Sequence, residues 1–134
     1  MPKPDFTGTW SFDPAKSRLE IPPPDSSVFV IDHVEPWFRL ERTHVIGGKA
    51  DTLRIELTTD GVPLVQTHHG LEIHSTLYWE GESLVVVSTF PTEGAEASNT
   101  VRYRLESEGQ VLVAEERLRS SSLSYENTWL FDRR

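Results

Sequence analysis

The feature that most constrains this chain is alternation. From residue 7 to residue 131, apolar and polar side chains trade places at nearly every step. Turn residues interrupt the pattern roughly every eight to twelve positions, as in an all-β sandwich or barrel. A period of two belongs to strands, whose successive side chains face opposite sides of a sheet. The pattern predicts strands near 7–12, 28–33, 37–44, 52–58, 63–69, 71–79, 84–90, 99–106, 110–118 and 123–131. Hairpin signals join several of them: IGGK at 46–49, TDG at 59–61, EGE at 80–82 and SEGQ at 107–110. Strands joined so tightly are antiparallel neighbours, so the expected topology is an up-and-down meander.

One segment departs from the rhythm. In DPAKSRLEIPPPDSS, Asp13 followed by Pro14 reads as a helix cap with proline at the first helical position. The expectation is a short helical turn, then an extended stretch held by Pro22 to Pro24. No linker or shift of composition divides the chain, so residues 1–134 read as a single domain.

Bulk properties remove several function classes. The absence of cysteine rules out disulfides, thiol nucleophiles and cysteine-ligated metals. The formal net charge of −8 comes with no clustered basic patch, which makes nucleic acid a poor partner. No apolar run approaches the roughly 20 residues of a bilayer-spanning helix, so no membrane insertion is expected. No apolar leader opens the sequence; that reads as cytoplasmic, or as periplasmic or secreted if the chain is a mature form.

Cross-strand partners share a face, so the turns fix which side chains point inward. In the 71–90 hairpin, Leu71, Ile73, Leu77, Trp79, Leu84, Val86 and Phe90 form the interior with Ser75 and Ser88. Over 99–118 the interior set is Val101, Tyr103, Leu105, Leu112, Ala114, Glu116 and Leu118; Arg102 and Glu115 face outward as a cross-strand pair. In the last strand Leu123, Tyr125, Asn127, Trp129 and Phe131 turn inward, and a tight turn at 119–122 sets Glu116 opposite Tyr125 and Ala114 opposite Asn127. Phe38 and Leu40 match Leu53, Ile55 and Leu57, which carries Arg42 and His44 inward; Leu64 brings Gln66 and His68 with it. The VEP turn leaves strand 28–33 open to either register.

The predicted interior is therefore apolar with polar exceptions: Arg42, His44, Gln66, His68, Glu116, Tyr125 and Asn127. Unpaired buried charge costs several kcal/mol. Either these groups pair with one another or the interior has room for water or a ligand, as in small barrels.

The triplet GTW at 8–10, in the first strand of such a meander, resembles the Gly-x-Trp signature of the calycins, the superfamily of lipocalins and fatty-acid-binding proteins. The resemblance implies that Trp10 closes one barrel end and that a basic residue of the last strand packs across it, a place Arg133 can fill. FTGTWSFDPAKS, the WEGESLVV hairpin and a second glycine-turn hairpin also look like small, functionally uncharacterised bacterial lipocalin-like proteins. The chain departs from the fatty-acid-binding proteins in two places. DPAKSRLEIPPP is too short and proline-rich for their helical lid, and RYR at 102–104 predicts outward arginines around an inward Tyr103.

Other chemistry is thin. Adjacent His68 and His69 should point to opposite faces of a strand. His44 and His68 should flank Leu53 about 10 Å apart, two strand spacings. That gives a zinc or haem site no tight ligand spacing, so neither metal nor cofactor is assigned. No phosphate loop, nucleophile elbow or His-Glu-x-x-His run appears.

The reading that results is a calycin-like barrel of eight to ten strands that binds a small, largely apolar or amphipathic molecule without catalysis. Trp79, Tyr103 and Trp129 would supply contact area, and Arg42, His44 or Gln66 would orient a polar or carboxylate end. The alternatives are a small enzyme, of isomerase or hydrolase type, using Glu116 or His68 as acid/base, and a filled barrel working through its surface. Outward Trp37 and Leu130 would allow a homodimer face.

Overall fold

Among the described residues, alternation folds into ten antiparallel strands with no helix. The computed structural model describes residues 3–92 and 95–134. In chain order the strands are β1 (Gly8–Phe12), β2 (Ser26–Val34), β3 (Trp37–Ile46), β4 (Lys49–Thr58), β5 (Leu64–His68), β6 (Leu71–Glu80), β7 (Ser83–Thr92), β8 (Ala95–Glu106), β9 (Val111–Arg119) and β10 (Ser124–Arg133). Their order in the single sheet is β4-β3-β2-β1-β10-β9-β8-β7-β6-β5, a nearly closed barrel. The first and last strands pair, Trp10 opposite Arg133.

The seam lies between β4 and β5, the two edges of the sheet. Here the expected unbroken meander fails. The intervening segment is captured by β6 instead: Asp60 bridges to Tyr78, and the Gly61 amide donates to the Leu77 carbonyl at 2.9 Å. The Thr59 amide donates to the Pro36 carbonyl at 2.9 Å, and Pro63 has no amide to offer a ladder.

Turn chemistry sets the register elsewhere. Gly47–Gly48 and His69–Gly70 both carry positive φ at the two central residues of two-residue hairpins. That conformation matches the twist of the flanking strands. The strand left open by the sequence, β2, buries Phe29, Ile31 and His33. They join Phe38, Leu40, Leu57, Leu77, Leu84, Val86, Tyr103, Ala114, Trp129 and Phe131 in one core.

Asp13 does cap a turn. Its carboxylate accepts from the Ala15 amide at 3.0 Å, and the Lys16 and Ser17 amides donate to the Asp13 and Pro14 carbonyls. No helix grows from it, because Arg18 exchanges both backbone hydrogen bonds with Thr128. Residues 13–20 thus run beside β10 where β1 ends, and Leu19 and Ile21 pack on the core.

One register and one expected ion pair are corrected. The last hairpin turns at 120–123, held by the Ser120 amide and hydroxyl donating to the Leu123 carbonyl. Glu116 therefore faces Asn127, Ala114 faces Trp129, Tyr125 faces Leu118, and Leu123 is exposed. Arg102 and Glu115 are directly opposite, but the ion pairs run Arg104 to Glu115 and Arg102 to Glu80.

Candidate ligand-binding site

One end of the barrel is plugged. Phe6 and Trp10 are fully buried, and the Trp10 indole donates to the Phe6 carbonyl at 3.1 Å. Arg133 lies over the Trp10 ring and donates to the Thr7 and Gly109 carbonyls at 2.8 and 3.0 Å. Trp79, expected in the ligand site, belongs to this plug. It packs on Phe6 and His33, and its indole reaches Glu35 at 3.2 Å. The Glu35 carboxylate also accepts from His33 Nε2 and Thr59 Oγ1. Burial alone would raise Glu35; these donors outweigh it and leave the carboxyl below its ordinary range.

The other half holds a cavity of about 100 Å³. Alternation on seven strands delivers its wall: Phe29, Leu40, Leu53, Ile55, Val86, Val101, Tyr103, Ala114 and Trp129 supply apolar surface, with Arg42, His44, Ser88, Asn99 and Glu116 among them.

Glu116 is braced from three sides. Its Oε1 accepts from Asn127 Nδ2 and Trp129 Nε1, each at 2.9 Å, and its Oε2 accepts from Asn99 Nδ2 at 3.1 Å. His44 stacks on Trp129, ring centroids 5.6 Å apart. Burial, and then the Arg42 charge, pull the His44 imidazole down from 6.5 to about 4, so it is neutral near pH 7. Burial pushes the Tyr103 hydroxyl well above its ordinary value.

Three buried polar atoms on this wall have no protein hydrogen-bond partner: Arg42 Nε, His44 Nδ1 and Asn99 Oδ1. One is a donor, one an acceptor, and the imidazole nitrogen serves as either according to tautomer.

The remaining expected site residues lie elsewhere. Tyr125 stands toward the rim beside Leu118, its hydroxyl raised by burial and by the Glu116 charge. Asn127 reaches the site only through Glu116, its Oδ1 accepting from the Glu20 amide at 2.7 Å. Gln66 and His68 face the seam: Gln66 Nε2 donates to the Arg54 carbonyl across it at 3.2 Å, and His68 Nε2 is 3.5 Å from Asp51. The expected flanking of Leu53 by His44 and His68 is not formed, because His44 lies opposite Asp51.

Along the same seam a larger hollow of about 770 Å³ wraps the free edge of β4. Leu57, Val62, Pro63 and Leu64 line it, with Trp37 on the outer wall, and Leu40 and Ile55 are shared with the inner cavity.

No protein-family description matches the sequence, and neither does any curated protein. Solved structures do. Secretory abundant heat soluble protein 4 from Ramazzottius varieornatus aligns over 100% of this chain and 99% of its own, with a TM-score of 0.69 at 14% identity. Zebrafish ileal bile acid-binding protein, complexed with cholic acid, aligns over 96% and 98% with a TM-score of 0.64 at 13% identity. A Schistosoma mansoni fatty acid binding protein in complex with arachidonic acid aligns over 96% of both chains, with a TM-score of 0.56 at 8% identity. The fold is a calycin-like β-barrel.

In this barrel, two residues went unread in the sequence: Asn99, which lines the cavity, and Asp51, which faces His68 at the seam. Asn99 lies one alternate step before Val101, and Asp51 one before Leu53. Extending each strand's parity by two residues finds both. His69 gave a different signal: a His-Gly pair at a hairpin turn, where positive φ breaks the alternation.

Proposed function

We propose that the barrel binds a small amphipathic molecule, without catalysis, with its polar end among Arg42, His44 and Asn99. The observation that carries this reading is the set of three polar atoms without a hydrogen-bond partner among the described residues, on a largely apolar wall. Leaving such groups unpaired costs roughly 1–3 kcal/mol each, which a ligand's polar end would relieve. Arg42 favours an anionic end, since guanidinium and carboxylate make charge-assisted hydrogen bonds.

Size argues for the way the ligand lies. At about 30 Å³ per water, 100 Å³ holds roughly three waters' worth of volume, well below a pocket for a whole drug-sized ligand. A headgroup fits there, and an apolar tail passes Leu40 and Ile55 into the hollow at the seam. Fold relatives complexed with cholic acid and arachidonic acid agree with that chemical class. Glu116 accepts three hydrogen bonds, which suits a brace better than a proton-transfer group.

Titration with a medium-chain fatty acid and the alcohol of equal length tests the reading. The acid is expected to bind more tightly, and Arg42→Gln to weaken the acid about 10- to 100-fold while leaving the alcohol unchanged. Equal affinity for both compounds, or indifference to Arg42→Gln, would remove the assigned headgroup site.

A further inference from the structure

The seam brings together residues that the proposed ligand site does not use. Asp51 sits near the start of β4, His68 ends β5, and His69 opens the turn that follows. His69 adopts a φ of 52°, in the left-handed region that histidine enters more readily than most side chains. Its ring therefore swings to the His68 side, with centroids 4.1 Å apart, where simple alternation would have sent it to the opposite face. His69 Nε2 lies 2.5 Å from Asp51 Oδ1, and His68 Nε2 lies 3.5 Å from Asp51 Oδ2. Among the described residues this is the one trio of histidine and carboxylate groups whose ligand atoms all fall within 4.8 Å of one another.

The geometry points to a divalent transition-metal site, of zinc type, formed by Asp51, His68 and His69 across the barrel seam. Two imidazoles and a carboxylate are a borderline-soft nitrogen and oxygen set, suited to zinc, cobalt or nickel, while calcium and magnesium prefer all-oxygen ligation. His68 Nε2 is buried and makes no hydrogen bond of good geometry among the described residues; its nearest polar neighbour is Asp51 Oδ2, so in its deprotonated tautomer this nitrogen can ligate an ion held by that carboxylate. In tetrahedral zinc coordination, ligand atoms about 2.0–2.1 Å from the metal stand about 3.3 Å from each other. The 3.5 Å separation at His68 is close to that spacing but is taken to Oδ2, whereas His69 contacts Oδ1, so Asp51 must turn one oxygen toward both imidazoles. His69, whose side chain is 72% exposed, has only to withdraw by less than about 1 Å to match it as well.

The site has one opposing charge. Arg42 Nη2 lies 3.9 Å from Asp51 Oδ2 and competes for the same carboxylate. A bound metal would displace that contact, turn Arg42 toward the inner cavity, and tie together two strands that no backbone ladder joins. The ion thereby acts as a clasp on the seam, and its affinity should rise when Arg42 is removed.

Zinc titrated into the full chain at pH 7.5 in a non-coordinating buffer tests the proposal, followed by calorimetry and by the imidazole NMR signals. The expected result is one equivalent bound, with His68 and His69 shifting and His74 unmoved. His74 pairs with Glu72 on the outer face and serves as the internal control. His69→Ala and Asp51→Asn should each weaken binding at least about tenfold, and Arg42→Gln should strengthen it. Cobalt in place of zinc should give the visible absorption of a four-coordinate ion. Absence of one-to-one binding at millimolar zinc, or binding unaltered in both His69→Ala and Asp51→Asn, overturns the proposal. His69 is in an exposed turn at positive φ, so His69→Gly, which suits that backbone, serves as the second variant and keeps the test decisive.

Discussion

Arg133 lies across Trp10, its guanidinium carbon 4.2 Å from the centre of the ring, and Gly8 is what leaves it room. A side chain at Gly8 would collide with Arg133 Nη1, and the Gly8 φ of +153° lies where L-residues are strained. Gly8→Ala is therefore expected to cost about 1–3 kcal/mol in urea unfolding. Part of that cost should vanish in an Arg133→Ala background, a coupling of at least about 0.5 kcal/mol. Simple additivity would show that the contact is not what demands glycine.

Glu116 ties β8, β9 and β10 together through Asn99, Asn127 and Trp129. Glu116→Gln preserves shape but replaces an accepting oxygen with a donating amide, stranding at least one partner. The expected loss is about 1–3 kcal/mol of unfolding free energy. A change under about 0.5 kcal/mol would contradict the bracing role.

Acid should weaken the fold through His44 before it reaches the carboxylates. The imidazole titrates near 6.5 when unfolded and near 4 when folded, so the unfolded chain binds the proton first. Stability is fully present above about pH 6.5, declines as the pH falls, and levels off below about pH 4. The group is partly solvated, so the contribution is about 2 kcal/mol after discounting for screening. Asp51 and Glu35, both held below their ordinary values, begin to act only at lower pH. Melting curves between pH 7 and 5 should thus flatten in His44→Gln; an unchanged slope would refute the assignment.

The seam should be the part that opens. β4 pairs only with β3, and β5 only with β6. Amides of β4 and β5 that face the seam are expected to exchange with solvent at least about tenfold faster than those of the β8–β9 ladder. Uniform protection around the barrel would mean the seam is closed in solution.

Much of this was legible in the sequence because alternation and glycine turns encode register directly. A barrel of eight to ten strands and the inward Arg42, His44, Tyr103, Glu116 and Trp129 follow from alternation and turns, while the closing Trp10 came from the Gly-x-Trp resemblance. What failed was non-local or conformational. Nothing in TDG announces that Asp60 will bridge to β6, which is why the seam was read as a hairpin. The turn at 120–123 was misplaced by one residue, and that shifted every partner of β10 by two. His69 broke alternation through a positive φ, and Trp79 obeyed it but stood at the plugged end, since parity fixes a face and not a height.

The central claim is that a ligand's polar end sits among Arg42, His44 and Asn99 inside the barrel, on the wall that Trp129 shares. The four tryptophans mark three places: Trp10 and Trp79 the plug, Trp37 the outer wall and Trp129 the cavity. Their indole N–H signals, followed by NMR during titration with a medium-chain fatty acid, read all four at once. The account predicts a saturable one-to-one shift at Trp129 with Trp10 unmoved. A response confined to Trp37, or none at Trp129 at saturation, would contradict it.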